Sequence, residues 1–237
     1  MLSKLFSFNG GVKPAPNKSP STREPIARLA LPPQLVIPLH QHIGGTPRPL
    51  VSVGDTVLRG QRIGAADGNV SSAVHAPTSG RVVAIEPRPM PHASGLSSPA
   101  VVIEPDGLDA AIEREPFDWH AAAPGEIRDF LRDAGVVGLG GAVFPSHLKL
   151  NPGKSGHTDT LVINGAECEP FITCDDMLMR AEPDNILRGA LIMQRMLAAK
   201  QVLVALEDNK PEAAAALKAA AQALGHASLE VVVVPTR

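Results

Sequence analysis

Two stretches of this 237-residue chain carry residue types suited to holding an anionic cofactor. The first runs Gly138-Leu139-Gly140-Gly141-Ala142 and continues through Phe144-Pro145 to Lys149. A phosphate dianion taken out of water needs several backbone N–H groups converging on it, because unpaired burial of charge is very costly. Three glycines and an alanine remove nearly every side chain that would block that approach. The segment from Phe144 to Leu150 can begin a helix whose N-terminus faces an anion, and Lys149 adds a full positive charge. Taken alone, a glycine run is equally an ordinary turn.

The second stretch is Asn164-Gly165-Ala166-Glu167-Cys168-Glu169-Pro170, directly after the short apolar run Leu161-Val162-Ile163. Ligands of parallel α/β sheets bind beyond the carboxyl ends of strands, and this loop sits at such an end. Asn164 offers a donor and an acceptor, which suits the alternating N–H and C=O edge of a flavin ring. Glu167 and Glu169 place acid where a nicotinamide ribose or carboxamide could be gripped. Glutamates on loops are usually solvated, but this pair lies between apolar Ile163 and Phe171-Ile172, where idle charge is uncommon.

Both loops need a scaffold, and the C-terminal half supplies one. Residues 124–135 read as a short helix, with Ile127, Phe130, Leu131 and Ala134 on one face and Gly135 as its stop. Beyond the second loop come a helix from about Pro183 to Lys200, a strand Val202 to Leu206, a helix from about Pro211 to Leu224 and a strand Leu229 to Val234. Pro211 early in its helix and Gly225 after its end are the expected punctuation. Alternation of this kind implies a parallel sheet with right-handed crossovers. The expected class is multi-part α/β, with an incomplete Rossmann-like parallel sheet over residues 128–237.

Upstream the pattern changes. Residues 35–104 hold short β-type runs separated by turns, as in Val51-Ser52-Val53-Gly54-Asp55-Thr56-Val57, Gly60 to Gly64 and Ala76 to Ile85. They read as an all-β module, and "VGDTVLRGQRIG" followed by "VHAPTSGRVVAI" resembles the barrel-sandwich fold of biotinyl/lipoyl carrier domains. A carrier domain presents a lysine at its hairpin tip, whereas Ala65 to Ser72 has none, so the carrier fold is expected without the carrier chemistry. Residues 105–127 read as a linker that docks and hold the single tryptophan, Trp119. Residues 1–34, rich in Pro, Ser and Lys, read as an extended arm, with the Leu29 to Val36 run packed on a neighbouring surface.

Composition narrows the function classes. A net charge of -2 with no basic block gives no footprint for nucleic acid. The most apolar long window, Ile186 to Leu206, contains Arg188, Arg195 and Lys200, which excludes a spanning helix. Cys168 and Cys174 suit a reducing compartment and cannot by themselves hold an iron–sulfur cluster. They read as a packed thiol and a helix-end residue. Asn151 to Ser155 ends like a P-loop, but the required first glycine is Leu148, so a surface turn is expected. The histidines, including His40, His42 and His147, lack ligand spacing, and no metal site is assigned.

The motifs resemble those of one family. "GLGGAVFPSHLKL" and "VINGAECEPFITCDD" look like the flavin-binding core of RnfC, the C subunit of Rnf-type electron transport complexes. "FNGGVKP", "IPLHQHIGG", "VSVGDTVLRGQRIG", "HAPTSGRV" and "LEDNKPEA" extend the likeness over essentially the whole chain. A more distant likeness is to the NADH-oxidising flavoprotein subunit of respiratory complex I, from which Leu139, Ala166 and Cys168 depart.

The resemblance implies that Gly138, Gly140, Gly141 and Ala142 approach the FMN phosphate and ribityl chain, with Phe144 and Lys149 beside the same ligand. It implies that Asn164 bonds the flavin ring and that Glu167 and Glu169 line the NADH side. It further implies a peripheral protein on the cytoplasmic face of a bacterial inner membrane, bound to other subunits of an Rnf-type complex. NADH would be the substrate. Two [4Fe–4S] clusters belong to a later segment of such proteins, so the chain reads as an N-terminal portion that does not turn over alone. The competing class is a non-catalytic docking module of the same complex or of a related NADH–quinone reductase.

Overall fold

The computed structural model describes residues 14–151, 156 and 158–236. They form two compact units. One comprises residues 28–157 with Arg195–Leu197, the other the chain up to Ala27 with Thr158–Gln194 and Ala198 onwards. The first thirteen residues and the turn expected at 152–155 lie outside the described residues.

The first unit is built on β1 (Leu35–Pro38), β2 (Arg48–Pro49), β3 (Thr56–Val57), β4 (Arg62–Ala65), β5 (Val74–His75), β6 (Gly80–Pro89) and β7 (Ser97–Pro105). They make two antiparallel sheets, ordered β1-β7-β6-β3 and β2-β4-β5. Leu39, Val57, Ile63, Val74, Ala76, Val82, Val101 and Ile103 form a single core. This is the barrel-sandwich architecture that the short β runs imply.

Residues 105–127 are tied to that barrel by buried hydroxyls rather than by apolar packing alone. Ser79 Oγ donates to Asp106 at 2.7 Å and accepts from the Ala110 N–H at 2.8 Å, while Thr78 donates to Asp109 at 3.0 Å. The bond from Ser79 holds the Asp106 carboxyl below its usual range. Phe117 stacks on Phe130 with ring centroids 4.2 Å apart.

Phe130 lies on α1 (Pro124–Asp133), which opens with Glu126 accepting the Ala123 N–H at 2.7 Å. Ile127 is its buried residue, whereas Phe130, one turn further on, stays 44% exposed. Gly135 ends the helix at φ +73, where a Cβ would come within 2.6 Å of the Ala73 carbonyl, so only glycine fits. A one-turn helix, α2 (Ser146–Lys149), follows the glycine run.

The second unit contains β8 (Thr160–Gly165), α3 (Cys174–Ala181), α4 (Pro183–Leu197, whose last turn groups with the barrel), β9 (Gln201–Glu207), α5 (Pro211–Leu224) and β10 (Leu229–Val234). The three strands are parallel in the order β10-β9-β8, with Thr160 opposite Gln201 and Leu229 opposite Val202. Val202, Val204 and Leu206 on the central strand are fully buried against Leu187, Ala190, Ala213 and Leu217. Each such aliphatic side chain contributes on the order of 1.5–3 kcal/mol by leaving water. Among the described residues no helix is long and apolar enough to cross a membrane.

Three expectations change. Residues 174–181 form α3, a helix that the sequence marks only through Cys174 as a helix-end residue. Helix α4 stops at Leu197, and Ala198 turns the chain at φ +50. Only the far end of the arm's apolar run docks: Leu35 and Val36 enter β1 against β7, whereas Leu29 and Leu31 are 94% and 49% exposed. A second segment that docks is polar and earlier, around Lys18 and the 3-10 turn Ser19–Ser21.

Candidate functional site

The glycine run lies in the barrel-containing unit as a narrow loop. Val137 bridges Pro145 in antiparallel fashion, the Gly138 N–H donates to the Phe144 carbonyl at 2.8 Å, and the Ser146 N–H donates to Val136 at 3.1 Å. The tip is closed by the Val143 N–H on the Gly140 carbonyl at 2.9 Å, with Val143 at φ +42. Between those closures, the N–H groups of Leu139, Gly140, Gly141 and Ala142 donate to no backbone carbonyl among the described residues.

The space around the loop is open in the way an entering group requires. A Cβ placed on Gly140 or Gly141 meets nothing within 4 Å. Lys149 Nζ sits 3.7 Å from the Cβ position of Gly138, over the base of the loop, and has no ion-pair partner among the described residues. Gly141, Ala142 and Val143 line a cavity of about 580 Å³ shared with Ile37, Pro38, the segment His40 to Ile43 and Met90 to His92. His42 is buried in its wall, its Nε2 3.0 Å from the Ser72 nitrogen. Unused N–H donors, an unpaired ammonium and an accessible volume fit a phosphate-bearing cofactor.

The acidic loop lies in the sheet-containing unit, at the carboxyl end of β8. Gly165 is closely packed there: a Cβ would lie 3.0 Å from Met179 Sδ and 3.3 Å from the Ala205 carbonyl, so those neighbours would have to give way by a few tenths of an ångström. Asn164 is exposed, and its Oδ1 accepts the Ala166 N–H at 3.0 Å, which leaves its amide NH₂ as the group able to reach a ligand. Glu169 is exposed as well.

Glu167 differs from both. It is 8% exposed, and its carboxylate accepts the Asp175 N–H at 2.7 Å and the Asp176 N–H at 3.2 Å, with the Cys174 thiol at 3.4 Å. Thr173, at the position before α3, makes no side-chain cap bond, so Glu167 caps the helix from seven residues upstream of its first residue. The flanking residues Phe171 and Ile172 are 63% and 46% exposed. The burial of Glu167 therefore comes from capping and not from an apolar surround.

Cation and acid are interleaved around this loop. Lys18 Nζ donates to the carbonyls of Glu167, Glu169 and Ile172 at 2.5, 2.9 and 2.6 Å. Lys210, 1% exposed, donates to the Ala166 carbonyl and to Asn209 Oδ1 at 2.8 Å, and pairs with Glu207 at 3.5 Å. Asp176 is held by Arg180 through bonds of 2.8 and 2.6 Å.

Burial and the bond to Glu167 push the Cys174 thiol up, so it stays protonated. Burial and the charges of Glu167 and Glu169 push the Asp175 carboxyl up. Glu167, Cys174 and Asp175 bring ligand-type atoms within 4.8 Å of one another, but both Glu167 oxygens already accept N–H bonds. Cys174 is the first residue of α3, as a helix-end residue should be, whereas Cys168 is exposed rather than packed.

Gly138, Gly140, Gly141, Ala142 and Phe144 thus share one loop of the first unit, with Lys149 on α2 just after it, and Asn164, Glu167 and Glu169 lie at the end of β8 and in the loop that follows in the second. Lys18 and Lys210 escaped sequence reasoning. Lys210 lies in the "LEDNKPEA" stretch, whose position at the end of a parallel strand was an available signal. No local signal marks Lys18.

Comparison with known proteins gives two matched families. Residues 6–108 match the RnfC barrel sandwich hybrid domain, and residues 131–237 match the Nuo51 FMN-binding domain. The chain is 48% identical over 237 residues to the C subunit of the ion-translocating oxidoreductase complex of Pseudomonas aeruginosa, covering 100% of this chain and 30% of that protein. It is 46% identical over 233 residues to the protein of the same name from Rhodobacter capsulatus, covering 98% and 45%. A solved NAD+-reducing [NiFe]-hydrogenase in the H2-reduced state is 26% identical, with a TM-score of 0.40 over 48% of this chain and 22% of that one. The chain spans between about a third and a half of the length of the relatives it matches.

Proposed function

We propose, on the premise that this chain belongs to the RnfC family of ion-translocating oxidoreductase complexes, that its glycine loop holds FMN and its acidic loop receives NADH. The observation that carries the reading is the set of unused N–H groups from Leu139 to Ala142 beside the unpaired ammonium of Lys149. Bound there, FMN would supply hydride acceptance from NADH and one-electron release onward.

The chain's own residues do the positioning. Leu139 to Ala142 bind the phosphate end through their N–H groups, and Lys149 balances its charge. On the acidic loop, the Asn164 amide NH₂ is the donor left for a ligand acceptor, its Oδ1 being engaged with Ala166. Glu169 is the exposed carboxylate available to a ribose hydroxyl or a carboxamide N–H, while Glu167 keeps its loop in place from within. The electrons would pass to iron–sulfur centres in a later part of the protein and on to subunits that move ions. The protein itself would sit peripherally on the cytoplasmic face of the membrane.

A second reading, a docking module without turnover, draws support from one fact: Glu167 is committed to capping α3 rather than facing solvent. Full-length protein purified with excess FMN separates the two. A retained yellow chromophore that NADH bleaches supports the flavoprotein reading. Protein that emerges colourless, or coloured but indifferent to NADH, overturns it.

A further inference from the structure

The loop from Ala166 to Thr173 contains two non-glycine residues in the left-handed region, Glu167 at φ +46 and Phe171 at φ +67. Each such residue is strained and persists only where surrounding bonds over-determine it. Between them lie Cys168, Glu169 and Pro170, with Cys168 and Glu169 exposed. Something other than local sequence must hold this conformation.

We infer that Lys18 is a positioning residue, an internal cation on the N-terminal arm that fixes the acidic loop and thereby aims Glu169. Its ammonium places donors on three convergent carbonyls, those of Glu167, Glu169 and Ile172, so the strained residue Glu167 and the residue after Phe171 hang from one point. Three rotatable donors on a compact cation suit that geometry, and a planar guanidinium does not. The arm adds further ties on the same loop: the Phe171 N–H donates to the Pro16 carbonyl at 2.9 Å, Ser21 Oγ donates to the Phe171 carbonyl at 3.2 Å, and Thr173 Oγ1 meets Ser21 Oγ at 3.0 Å.

The pairing has an electrostatic sense as well. Glu167, Glu169, Asp175 and Asp176 crowd carboxylates around one turn, and Lys18 and Lys210 both act to keep Asp175 charged against them. A cation bonded to carbonyls stabilises the loop without neutralising Glu169 by direct pairing. The carboxylate stays available.

The consequence for nucleotide rests on the reading that this loop receives NADH, and the test separates the two claims. Lys18→Met and Lys18→Arg are made in the full-length protein, and amide hydrogen exchange is followed at residues 166–173, with Val202 and Val204 of β9 as the fold control. Lys18→Met should raise exchange in the loop by about tenfold or more with the β9 amides unchanged, and Lys18→Arg should fall between the two. NADH KM should rise several-fold, to about tenfold, with kcat within about twofold.

Loop exchange at the wild-type rate in Lys18→Met would overturn the positioning role. So would equal acceleration at β9, which would make Lys18 a support of the whole unit. Faster loop exchange with unchanged NADH kinetics supports Lys18 as the tether and removes the acidic loop from the nucleotide site.

Discussion

The Glu167 carboxylate accepts the backbone N–H of Asp175 at 2.7 Å, so an acid that reads as a ligand contact in the sequence is the N-terminal cap of α3. Replacing it should therefore be felt in the fold. Glu167→Ala leaves two N–H groups uncapped and removes a favourable charge from a helix N-terminus, a loss of about 1–2 kcal/mol. Urea unfolding of the sheet-containing unit should show the midpoint lowered and the unfolding free energy reduced by that amount. An unchanged midpoint would mean the cap is idle in solution.

Gly141→Val makes the opposite separation. The Cβ position of Gly141 faces open space, so the substitution should change the melting temperature little, within about 0.5 kcal/mol of stability. The branched side chain would occupy the approach to the unused N–H groups, and FMN retention should fall by about tenfold or more, which corresponds to roughly 1.4 kcal/mol. Fluorescence titration with FMN in the full-length protein checks both halves. Wild-type affinity would place the phosphate elsewhere.

Lys210 is the deepest charge in the molecule's described part, 1% exposed, with Glu207 at 3.5 Å and the Ala166 carbonyl as partners. Lys210→Met keeps the volume of the stem but leaves the Glu207 carboxylate, at 11% exposure, without its cation and with the Asn209 amide bond at 3.0 Å. Removing one partner of a buried pair destabilises by about 3–5 kcal/mol. Denaturant unfolding should show it, and Lys210→Met/Glu207→Gln should recover a large share. A double variant no better than the single would mean that the carbonyl bonds, not the pair, hold Lys210.

Acid should weaken the barrel-containing unit through two histidines. Burial, then repulsion from Arg114, holds His75 below its ordinary 6.5, and burial does the same for His147, whose Nδ1 has no hydrogen-bond partner among the described residues. Both folded values are depressed, so in the window between them and 6.5 the unfolded chain binds more protons. The stability that these residues contribute is full above about pH 6.5 and is lost as the pH falls towards the folded values. Melting followed from about pH 7 to about pH 5 should decline, and His75→Gln with His147→Gln should flatten that decline. A slope untouched by the pair would assign the acid sensitivity to the carboxylates.

How much of this was legible follows from the range over which each feature is encoded. Helix α5 and strand β10 have the bounds that local punctuation implies, Pro211 and Gly225 for the helix and turn residues around an apolar run for the strand. The barrel-sandwich class was equally readable, because alternation and turn residues act within a few positions. Helix α3 was not, because its cap is Glu167 rather than Thr173 beside it. The role of Lys18 was least legible of all, since lysine in a Pro- and Ser-rich arm reads as solvated charge until its three carbonyl partners are in place.

The bond from Lys18 to Glu167 spans 149 residues. At a ribosomal pace of roughly 5–20 residues per second, the arm waits on the order of 10–30 s between its own emergence and that of its acceptors. Through that interval the barrel can complete its core without it. The nascent arm is therefore a late-closing segment, open to chaperones and proteases until β8 and the loop after it are made.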